Sequence, residues 1–272
     1  MKLFDCTLYY DEDLILDARL NILNKYFDYF IICESKFSHS GREKKLNFDI
    51  NKFSEFKEKI IYLVDDSEPE GLVYNNEEGS KIEKPEHYRH NAIKRISHQR
   101  NKLIDGLNQI ADPEDFIFYS DNDEIPNMKK FDKGSEVSKI IIFEQKLFYY
   151  KFNLFTDRIL WYGTKAIKKK NLLNFETLRQ VKPKKYKFYR FDTLFKKDKF
   201  INLKIIKDGG WHFTRVLSPE EIHKKELDAE HHDEYRASKK NPEKIRYLIK
   251  NRLIDHDHSA DTKISKYGKE FK

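Results

Sequence analysis

FIFYSDNDEIP, residues 116–126, joins a short apolar run to three carboxylates and a proline. Residues 116–119 are aromatic or β-branched and follow a turn-forming Asp-Pro pair, which predicts a buried strand. If the strand continues into the acidic residues, its pleat places Asp121 and Asp123 on one side and turns Asn122 away. Two carboxylates that converge in this way can bind a hard cation such as Mn²⁺ or Mg²⁺.

Such a cation can link an Asp-x-Asp pair to a diphosphate and neutralise the charge that builds on the phosphate as a bond to it breaks. The alternative interpretation is a solvated acidic turn, which is the commoner setting of an isolated Asp-x-Asp. The apolar run in front of the carboxylates, together with the motifs described below, favours the metal site.

The composition indicates one folded domain. Of the 272 residues, 36% are charged, 39% are hydrophobic and 14% are aromatic, which predicts a core rich in Phe and Tyr. The sequence has 9 Gly and 7 Pro and no stretch rich in Pro, Gly and Ser. We therefore expect no linker within it.

The N-terminal stretch MKLFDCTLYYDED carries charge among its apolar residues and lacks a small-residue cleavage pattern, and nowhere do 18 apolar residues run together. Export and membrane spanning are therefore not expected. Cys6 and Cys33 each lie in a strand-like run, where buried thiols are more often inert packing than a disulfide or a redox pair. These features predict a cytoplasmic protein, or one that is soluble in another reducing compartment.

Positive charge is concentrated in one segment. Residues 165–207 hold 15 Lys and Arg against 3 Asp and Glu, with Tyr and Phe interleaved, in a chain whose net charge is +7. Such a basic stripe can contact phosphates, acidic glycans, nucleic acid or an anionic membrane surface. It can equally be the solvated face of strands, because KYKFYRF, residues 185–191, partly alternates.

Local patterns predict an α/β fold. Residues 3–10 and 29–35 have the composition of strands. A helix between them is predicted by apolar residues at helical spacing after a cap at Asp11 or Asp13, namely Leu16, Leu20, Leu23 and Phe27. Strand, helix and strand in this order form a βαβ unit, with parallel strands and a ligand crevice at their carboxyl ends.

The rest of the chain continues this alternation. We predict a strand at 60–66, a helix at about 86–110, one or two strands within 139–155 and a break at Gly209-Gly210. The long helix is expected to have one buried face, made of Ile93, Ile96, Arg100, Leu103, Ile104 and Leu107. SPEE, residues 218–221, predicts a capped helix start, and beyond about Leu253 the chain turns polar.

Eight motifs, taken together in their order and spacing, resemble those of glycosyltransferase family 17, whose animal members add the bisecting N-acetylglucosamine to N-glycans. They are KLFDCTLYYDEDLILDARLNIL (2–23), YFIICES (29–35), SGREKKL (40–46), SHQRNKLIDGL (97–107), SDNDEIP (120–126), FYYKFNLF (148–155), WYGTK (161–165) and GGWHF (209–213). The chain departs from the family at Asn122, where a small apolar residue is more usual, and we do not expect the membrane anchor of the animal enzymes in it.

The resemblance implies a GT-A fold, a Rossmann-like α/β sandwich with a mostly parallel central sheet flanked by helices. It implies transfer from a nucleotide sugar, foremost UDP-N-acetylglucosamine, to a glycan hydroxyl with inversion at the anomeric carbon. We expect no nucleic-acid partner. We expect one catalytic domain at 1–255, with a nucleotide-sugar half at about 1–126 and an acceptor half at about 127–255. A polar tail follows at 256–272.

The resemblance also suggests metal ligands. Asp123 is the leading candidate, and Asp121 would share the metal or its water and the ribose hydroxyls. His212 in GGWHF is the candidate third ligand, because similar GT-A enzymes often bring a C-terminal histidine to the metal and two glycines allow a close approach. The alternative for His212 is a hydrogen-bonded histidine beside Trp211.

Three further residues are candidates for binding the donor. Arg100 in SHQRN could meet phosphate or orient Asp121, with Asn101 as a neighbouring polar contact. An exposed helical arginine is the alternative, although its apolar neighbours favour a buried one. Glu34, at the end of the second strand, could accept hydrogen bonds from uracil or ribose, or it could be a plain loop carboxylate.

An inverting transfer needs a carboxylate that takes the proton of the acceptor hydroxyl, opposite the leaving diphosphate. No motif marks this base. We favour Asp157, predicted in a loop before WYGTK, with Glu176 and Glu144 as rivals. Trp161 and Trp211 could stack on sugars or pack in the core.

Two histidine-rich runs, residues 231–234 and 256–258, mimic metal clusters but are predicted to be solvated surface.

Two other classes of protein remain open from the sequence. A nucleotidyltransferase or phospho-sugar transferase can carry an Asp-x-Asp on a similar sheet, but it attacks phosphorus, and no Gly-rich phosphate loop supports it. A non-enzymatic binder would use the basic stripe on nucleic acid or an acidic membrane. Such a binder would leave the carboxylates of residues 121–124 unexplained.

Overall fold

Short aromatic and β-branched runs form the strands of this protein, in a computed structural model that describes residues 1–74, 83–134, 136–184 and 202–254 and the backbone of 269–270. The strands are β1 (Leu3–Tyr9), β2 (Tyr29–Ser35), β3 (Ile60–Asp65), β4 (Phe116–Ser120), β5 (Glu124–Pro126), β6 (Ile140–Tyr149), β7 (Phe155–Lys168), β8 (Leu203–Ile206), β9 (Gly210–Thr214), β10 (Leu253–Ile254) and β11 (Lys269–Glu270). The helices are α1 (Asp13–Leu23), α2 (Tyr88–Ile110), α3 (Phe175–Gln180), α4 (Pro219–Glu226), α5 (His232–Ala237) and α6 (Pro242–Lys250).

The predicted βαβ unit is present. β1 and β2 pair in parallel, with Phe4 opposite Tyr29, and α1 connects them. β3 extends the parallel sheet beyond β2, and β4 pairs in parallel with the other side of β1. The carboxyl ends of these four strands therefore lie at one edge, where a ligand crevice is expected.

The predicted cap of α1 is wrong. The capping residue is Glu12, which makes no side-chain cap hydrogen bond, and Asp13 is already the first helical residue. The Asp13 carboxylate instead accepts from the Tyr9 hydroxyl at 2.6 Å. The capping box predicted at Ser218 is confirmed, because Ser218 and Glu221 each accept a hydrogen bond from the other's backbone N–H.

Within the described residues, nine strands form one sheet in the order β3-β2-β1-β4-β7-β6-β9-β5, with β8 on β6. β7 runs antiparallel to both β4 and β6, and β5 runs antiparallel to β9, whereas β8 and β9 are parallel to β6. The sheet is therefore mixed: the half made of β1–β4 is parallel, and the other half combines both orientations. The division at residue 126 stays a prediction, and the sheet continues across it.

Alternation along each strand separates two cores on the two faces of the sheet. In β4, Phe116 and Phe118 pack with α1, while Ile117 and Tyr119 pack with α2 and α3. The face of α2 was predicted correctly except at Ile93, which is 42% exposed because it lies beside the buried stripe that includes Ala92 and Ile96. A third core joins α4 and α6 to the end of β6.

Cys6 and Cys33 are both free and buried, as predicted, and they pack in the same core. Burial raises the pKa of each thiol, so neither is a reactive thiolate.

Candidate active site

The acidic stretch forms a turn. β4 ends at Ser120, and the Glu124 N–H donates to the Asp121 carbonyl at 3.0 Å before β5 begins. The predicted continuation of the strand through these residues is therefore wrong. Asn122 does not face away but borders the same cavity as Asp121, while Asp123 borders a neighbouring cavity.

Asp121 is held by three side chains. The Tyr119 hydroxyl donates to Oδ1 at 2.9 Å, and Arg179 donates through Nε and Nη2 to Oδ2 at 3.1 and 2.9 Å. Arg100 Nη2 lies 3.7 Å from Oδ1. Burial disfavours the ionised carboxylate, but Arg179 and Arg100 outweigh it and hold the pKa of Asp121 well below its usual range.

Asp123, the other aspartate of the turn, pairs with His212. His212 Nε2 lies 3.2 Å from Asp123 Oδ2, and β9 brings the histidine there because it pairs with β5, with His212 opposite Glu124. Burial favours the neutral forms of both groups, but their mutual attraction lowers the pKa of Asp123 and raises that of His212. His212 Nδ1 is buried and has no hydrogen-bond partner among the residues that the structure describes.

Glu124 holds the surroundings of this pair in place through hydrogen bonds with Trp161 and with the backbone of Asp121. Its side chain is fully buried, and it accepts from the Trp161 indole N–H at 2.7 Å and from the Asp121 N–H at 3.0 Å. The Trp161 ring packs against the His212 ring, with centroids 4.3 Å apart. Burial and the nearby Asp121 raise the pKa of Glu124. Trp161 thus positions a histidine, and it is not simple core packing.

Arg100 is buried, so the exposed alternative is wrong. It donates through Nε to the Tyr119 hydroxyl at 3.0 Å and through Nη1 to Glu176 Oε2 at 2.8 Å. Asn101 accepts from the Glu176 N–H at 3.2 Å and so anchors the start of α3. Burial opposes ionisation of Glu176, but Arg100 outweighs it and lowers the pKa of this carboxylate.

Glu34 is buried, and its carboxylate is occupied from within the fold. It accepts from the backbone N–H groups of Asn47 and Phe48 at 2.8 and 3.0 Å, from the Tyr62 hydroxyl at 2.9 Å and from Lys44. These contacts hold the segment after β2 against the sheet edge.

The two other candidate bases lie apart from the acidic turn. Asp157 is in β7 and not in a loop, and its side chain is exposed. Glu144 is in β6, opposite Tyr162. Neither residue lines the two cavities that meet at the turn, and Glu176 does not line them either.

A cavity of about 320 Å³ opens beside the turn, at the carboxyl ends of β1 and β2. Its wall includes Gln99, Arg100 and Arg179, and residues within 225–231 form another side of it. Lys225 pairs with Glu12, and Asp228 accepts from the Tyr10 hydroxyl at 2.8 Å and from Arg42. These contacts tie the C-terminal segment to the first βα loop.

The run at 231–234 is not uniformly solvated surface. His232 is 1% exposed and packs on Tyr88, while Arg89 contacts His231, Asp233 and Glu234. The run at 256–258 lies outside the described residues, as do 185–201 of the basic stripe. In the described part of the stripe, Lys168 and Lys170 pair with Glu114, which occupies part of its charge.

Two residues of the site, Arg179 and Lys165, were not predicted from the sequence. Arg179 lies in the last turn of α3, 58 residues after Asp121, and no local pattern connects them. Lys165 is the final residue of WYGTK. A lysine in a strand that otherwise faces the core could have indicated a buried residue with a role in the site. It is 3% exposed and donates to the Arg179 carbonyl, so it fixes the arginine that holds Asp121.

Lys165 predicts a measurable pH dependence of stability. Burial, with the nearby Arg179, lowers its pKa to about 7, against an ordinary value near 10.5. Between pH 7 and 10.5 the unfolded chain keeps a proton that the folded protein has lost, so this lysine makes stability rise with pH. Each pH unit in that window contributes up to about 1.4 kcal/mol.

The stability of Lys165→Met relative to the parent should therefore be most favourable at pH 6, and it should fall by about 2.6 kcal/mol between pH 6 and pH 9. Urea unfolding of both proteins at several pH values measures this difference. The contributions of the other titrating groups to the free energy of unfolding are common to both proteins and cancel. A difference independent of pH would contradict the lowered pKa.

Among the described residues, no group of three or more His, Cys, Asp or Glu side chains is arranged to hold a metal ion. In the same part of the chain, no helix is long and apolar enough to cross a membrane.

This is an α/β protein with an acidic turn and a polar cavity at the carboxyl ends of parallel strands, where such folds bind their ligands. The chain belongs to glycosyltransferase family 17, whose family model matches residues 1–183. It is a glycosyltransferase, an enzyme that uses a nucleotide sugar and a glycan acceptor. Membership of this family therefore favours a glycosyltransferase over the two alternatives left open by the sequence, a nucleotidyltransferase and a non-enzymatic binder.

No curated protein matches the chain. Among solved structures, it is similar to the inositol-1-phosphate CTP transferase from T. maritima, with 9% identity, a TM-score of 0.37, and 83% of this chain and 97% of the other covered. It is also similar to the CTP:phosphocholine cytidylyltransferase from Streptococcus pneumoniae, with 10% identity, a TM-score of 0.23, and 62% and 68% covered.

Proposed function

We propose that this enzyme has a GT-A fold and transfers N-acetylglucosamine from UDP-N-acetylglucosamine to a glycan hydroxyl, with inversion at the anomeric carbon and with Mn²⁺ or Mg²⁺. The observation that carries the proposal is the Asp123–His212 pair, which faces the ligand edge of the sheet where the acidic turn joins two cavities.

The pair fits a divalent cation. Asp123 Oδ2 and His212 Nε2 lie 3.2 Å apart and would both contribute to holding the cation. A carboxylate and an imidazole suit Mn²⁺, and such ions commonly complete their coordination with substrate phosphates and water. When bound, the cation would supply charge neutralisation for the departing diphosphate.

The surrounding residues keep this pair in position. Trp161 packs on the His212 ring, and Glu124 accepts from the Trp161 indole. Asp121, kept ionised by Arg100 and Arg179, would accept a hydrogen bond from a ribose hydroxyl or a metal-ligated water.

A second group of side chains in the first cavity supports nucleotide binding. His39 lines the cavity, and burial and Arg100 lower its pKa to about 4, so it is neutral at pH 7. Gln99, beside it, is fixed by donating to the Cys33 carbonyl at 3.0 Å. A neutral imidazole and an amide in a cavity of this size suit the polar edge of a nucleobase.

Inversion is tested by the configuration of the product. The sugar of UDP-N-acetylglucosamine is α-linked, so an inverting transfer gives a β-glycoside. We expect proton NMR of a reaction with Mn²⁺ to show a β-anomeric signal as the first product, and no product when the metal is chelated. An α-linked first product would contradict the proposed inversion, and full transfer in chelator would contradict the metal dependence.

A further inference from the structure

A second cavity, of about 520 Å³, meets the first one at the acidic turn. The turn gives Asp121 and Asn122 to the first cavity and Asp123 to the second, and Glu12 and Lys225 line both. In an inverting transfer the acceptor hydroxyl must approach from the side opposite the diphosphate. The second cavity joins the donor cavity across Asp123, the candidate metal ligand. It is therefore placed to bring an acceptor hydroxyl to the donor sugar.

The walls of the second cavity suit a sugar that carries no charge. Tyr150, Phe213, Val216 and Leu217 form an apolar wall, on which the C–H face of a sugar ring can pack. Among the described residues, its polar rim carries five carboxylates, Asp11, Glu12, Asp13, Asp123 and Glu221, and one cation, Lys225. This excess of negative charge disfavours an anionic acceptor, while carboxylates accept hydrogen bonds from neutral hydroxyls.

Four of the five carboxylates already have partners. Glu12 pairs with Lys225, Asp13 accepts from Tyr9, Asp123 faces His212, and Glu221 accepts from Ser218. The fifth, Asp11, makes no side-chain hydrogen bond or ion pair with any residue in the described ranges. It lies in the loop after β1, at the mouth of the cavity.

We propose that the second cavity binds a neutral saccharide acceptor and that Asp11 is the catalytic base of the transfer. This rests on the proposed function. The acceptor oxygen forms a bond to the anomeric carbon as the bond from that carbon to the diphosphate oxygen breaks. The hydroxyl proton passes to the Asp11 carboxylate, and the diphosphate leaves with the electron pair. Asp11 replaces Asp157, Glu144 and Glu176 in this role, because none of those three lines either cavity.

The electrostatic surroundings agree with this role. Asp11 is exposed at the cavity mouth, and partial desolvation and the neighbouring Glu12 raise its pKa, while Lys225 and Lys224 oppose the rise and Glu221 adds to it. A carboxylate that is more basic than usual takes up a proton more readily in the transition state.

The decisive variant is Asp11→Asn, which keeps the shape of the side chain and removes its basicity. We expect kcat for transfer from UDP-N-acetylglucosamine to fall by about 10²–10⁴-fold, while the calorimetric Kd for the donor with Mn²⁺ stays within about twofold of the parent, as expected of a residue that acts on the acceptor only. Asp17→Asn, an exposed change on α1 outside both cavities, is the matched control and should leave both quantities unchanged.

The acceptor class is tested with p-nitrophenyl glycosides of mannose, glucose, galactose, N-acetylglucosamine and glucuronic acid. We expect a neutral glycoside to be used and the glucuronide to be rejected. Val216→Trp, which fills the cavity, should raise the acceptor KM at least tenfold without changing the donor Kd.

Parental kcat in Asp11→Asn, or an unchanged acceptor KM in Val216→Trp, would overturn the proposal while the proposed function stands. Equal use of the glucuronide, or no use of any neutral glycoside by a parent that binds the donor, would overturn the assigned acceptor class. If the parent neither binds UDP-N-acetylglucosamine nor transfers its sugar, the proposed function is contradicted, and so is the proposal that rests on it.

Discussion

Asp123→Asn is expected to lower sugar transfer by at least about 10³-fold, because it removes the negative charge that, with His212, would hold the cation at the diphosphate. The side chain keeps its size, and the Asp123 carbonyl, which accepts from the Phe213 N–H at 2.8 Å, is untouched. The fold should therefore survive, and the loss should fall on kcat and on metal-dependent donor binding.

The control is Asp105→Asn, an exposed carboxylate on α2 that pairs with Lys102 at 2.9 Å. It should transfer sugar at the parental rate. Steady-state rates of both variants, taken with circular dichroism to show that each is folded, make the comparison. Transfer by folded Asp123→Asn within tenfold of the parent would contradict the role of the acidic turn.

The largest effect on stability is expected from Asp5→Ala. Arg19 is completely buried and donates through Nε and Nη2 to the two Asp5 oxygens at 2.7 and 2.6 Å, and through Nη1 to the Glu124 carbonyl. Removing Asp5 leaves a buried guanidinium without its counter-charge, which typically costs about 3–5 kcal/mol. The free energy of unfolding in urea should fall by that amount.

A pair on the surface provides the contrast. Arg246 and Glu220 are both more than half exposed, so Glu220→Ala should change the free energy of unfolding by less than about 1 kcal/mol. The double variant Asp5→Leu with Arg19→Met should recover most of the lost stability, because two apolar side chains leave no buried charge. A cost of under 1 kcal/mol for Asp5→Ala would show that Arg19 is not confined as the structure places it.

The Arg19 contact also connects fold and site. Its guanidinium reaches the carbonyl of Glu124, the residue that ends the acidic turn. Helix α1 thus fixes the backbone on which Asp123 is presented, so part of any loss in Asp5→Ala should appear as weaker donor binding in protein that is still folded.

Local patterns in the sequence were enough to predict much of the fold. The strand around Phe118 and the helix that includes Leu103 were recognised from runs and spacings that depend only on neighbours along the chain. The orientation of the later strands was not recognised, because β7 joins β4 by a pairing such as Phe118 with Ala166, which no local period encodes.

The same limit applies to the site. Asp121 and Asp123 were recognised as a motif in the sequence. Their different partners were not, because Arg179, which binds Asp121, and His212, which pairs with Asp123, lie in distant elements. The strand periodicity that was applied to the motif fails because a turn begins at Asp121. Asp11 was weighed only as a helix cap, and its position in the second cavity became visible only once β9 and α4 were placed.

Calorimetric binding of UDP-N-acetylglucosamine to the parent and to Asp123→Asn, each with Mn²⁺ and with chelator, tests whether the acidic turn is a metal-dependent donor site. We expect the parent to bind the donor with Mn²⁺ but not with chelator, and Asp123→Asn to lose the binding seen with Mn²⁺. Equal affinity in chelator, or unchanged affinity in Asp123→Asn, would contradict a metal-dependent donor site at the acidic turn.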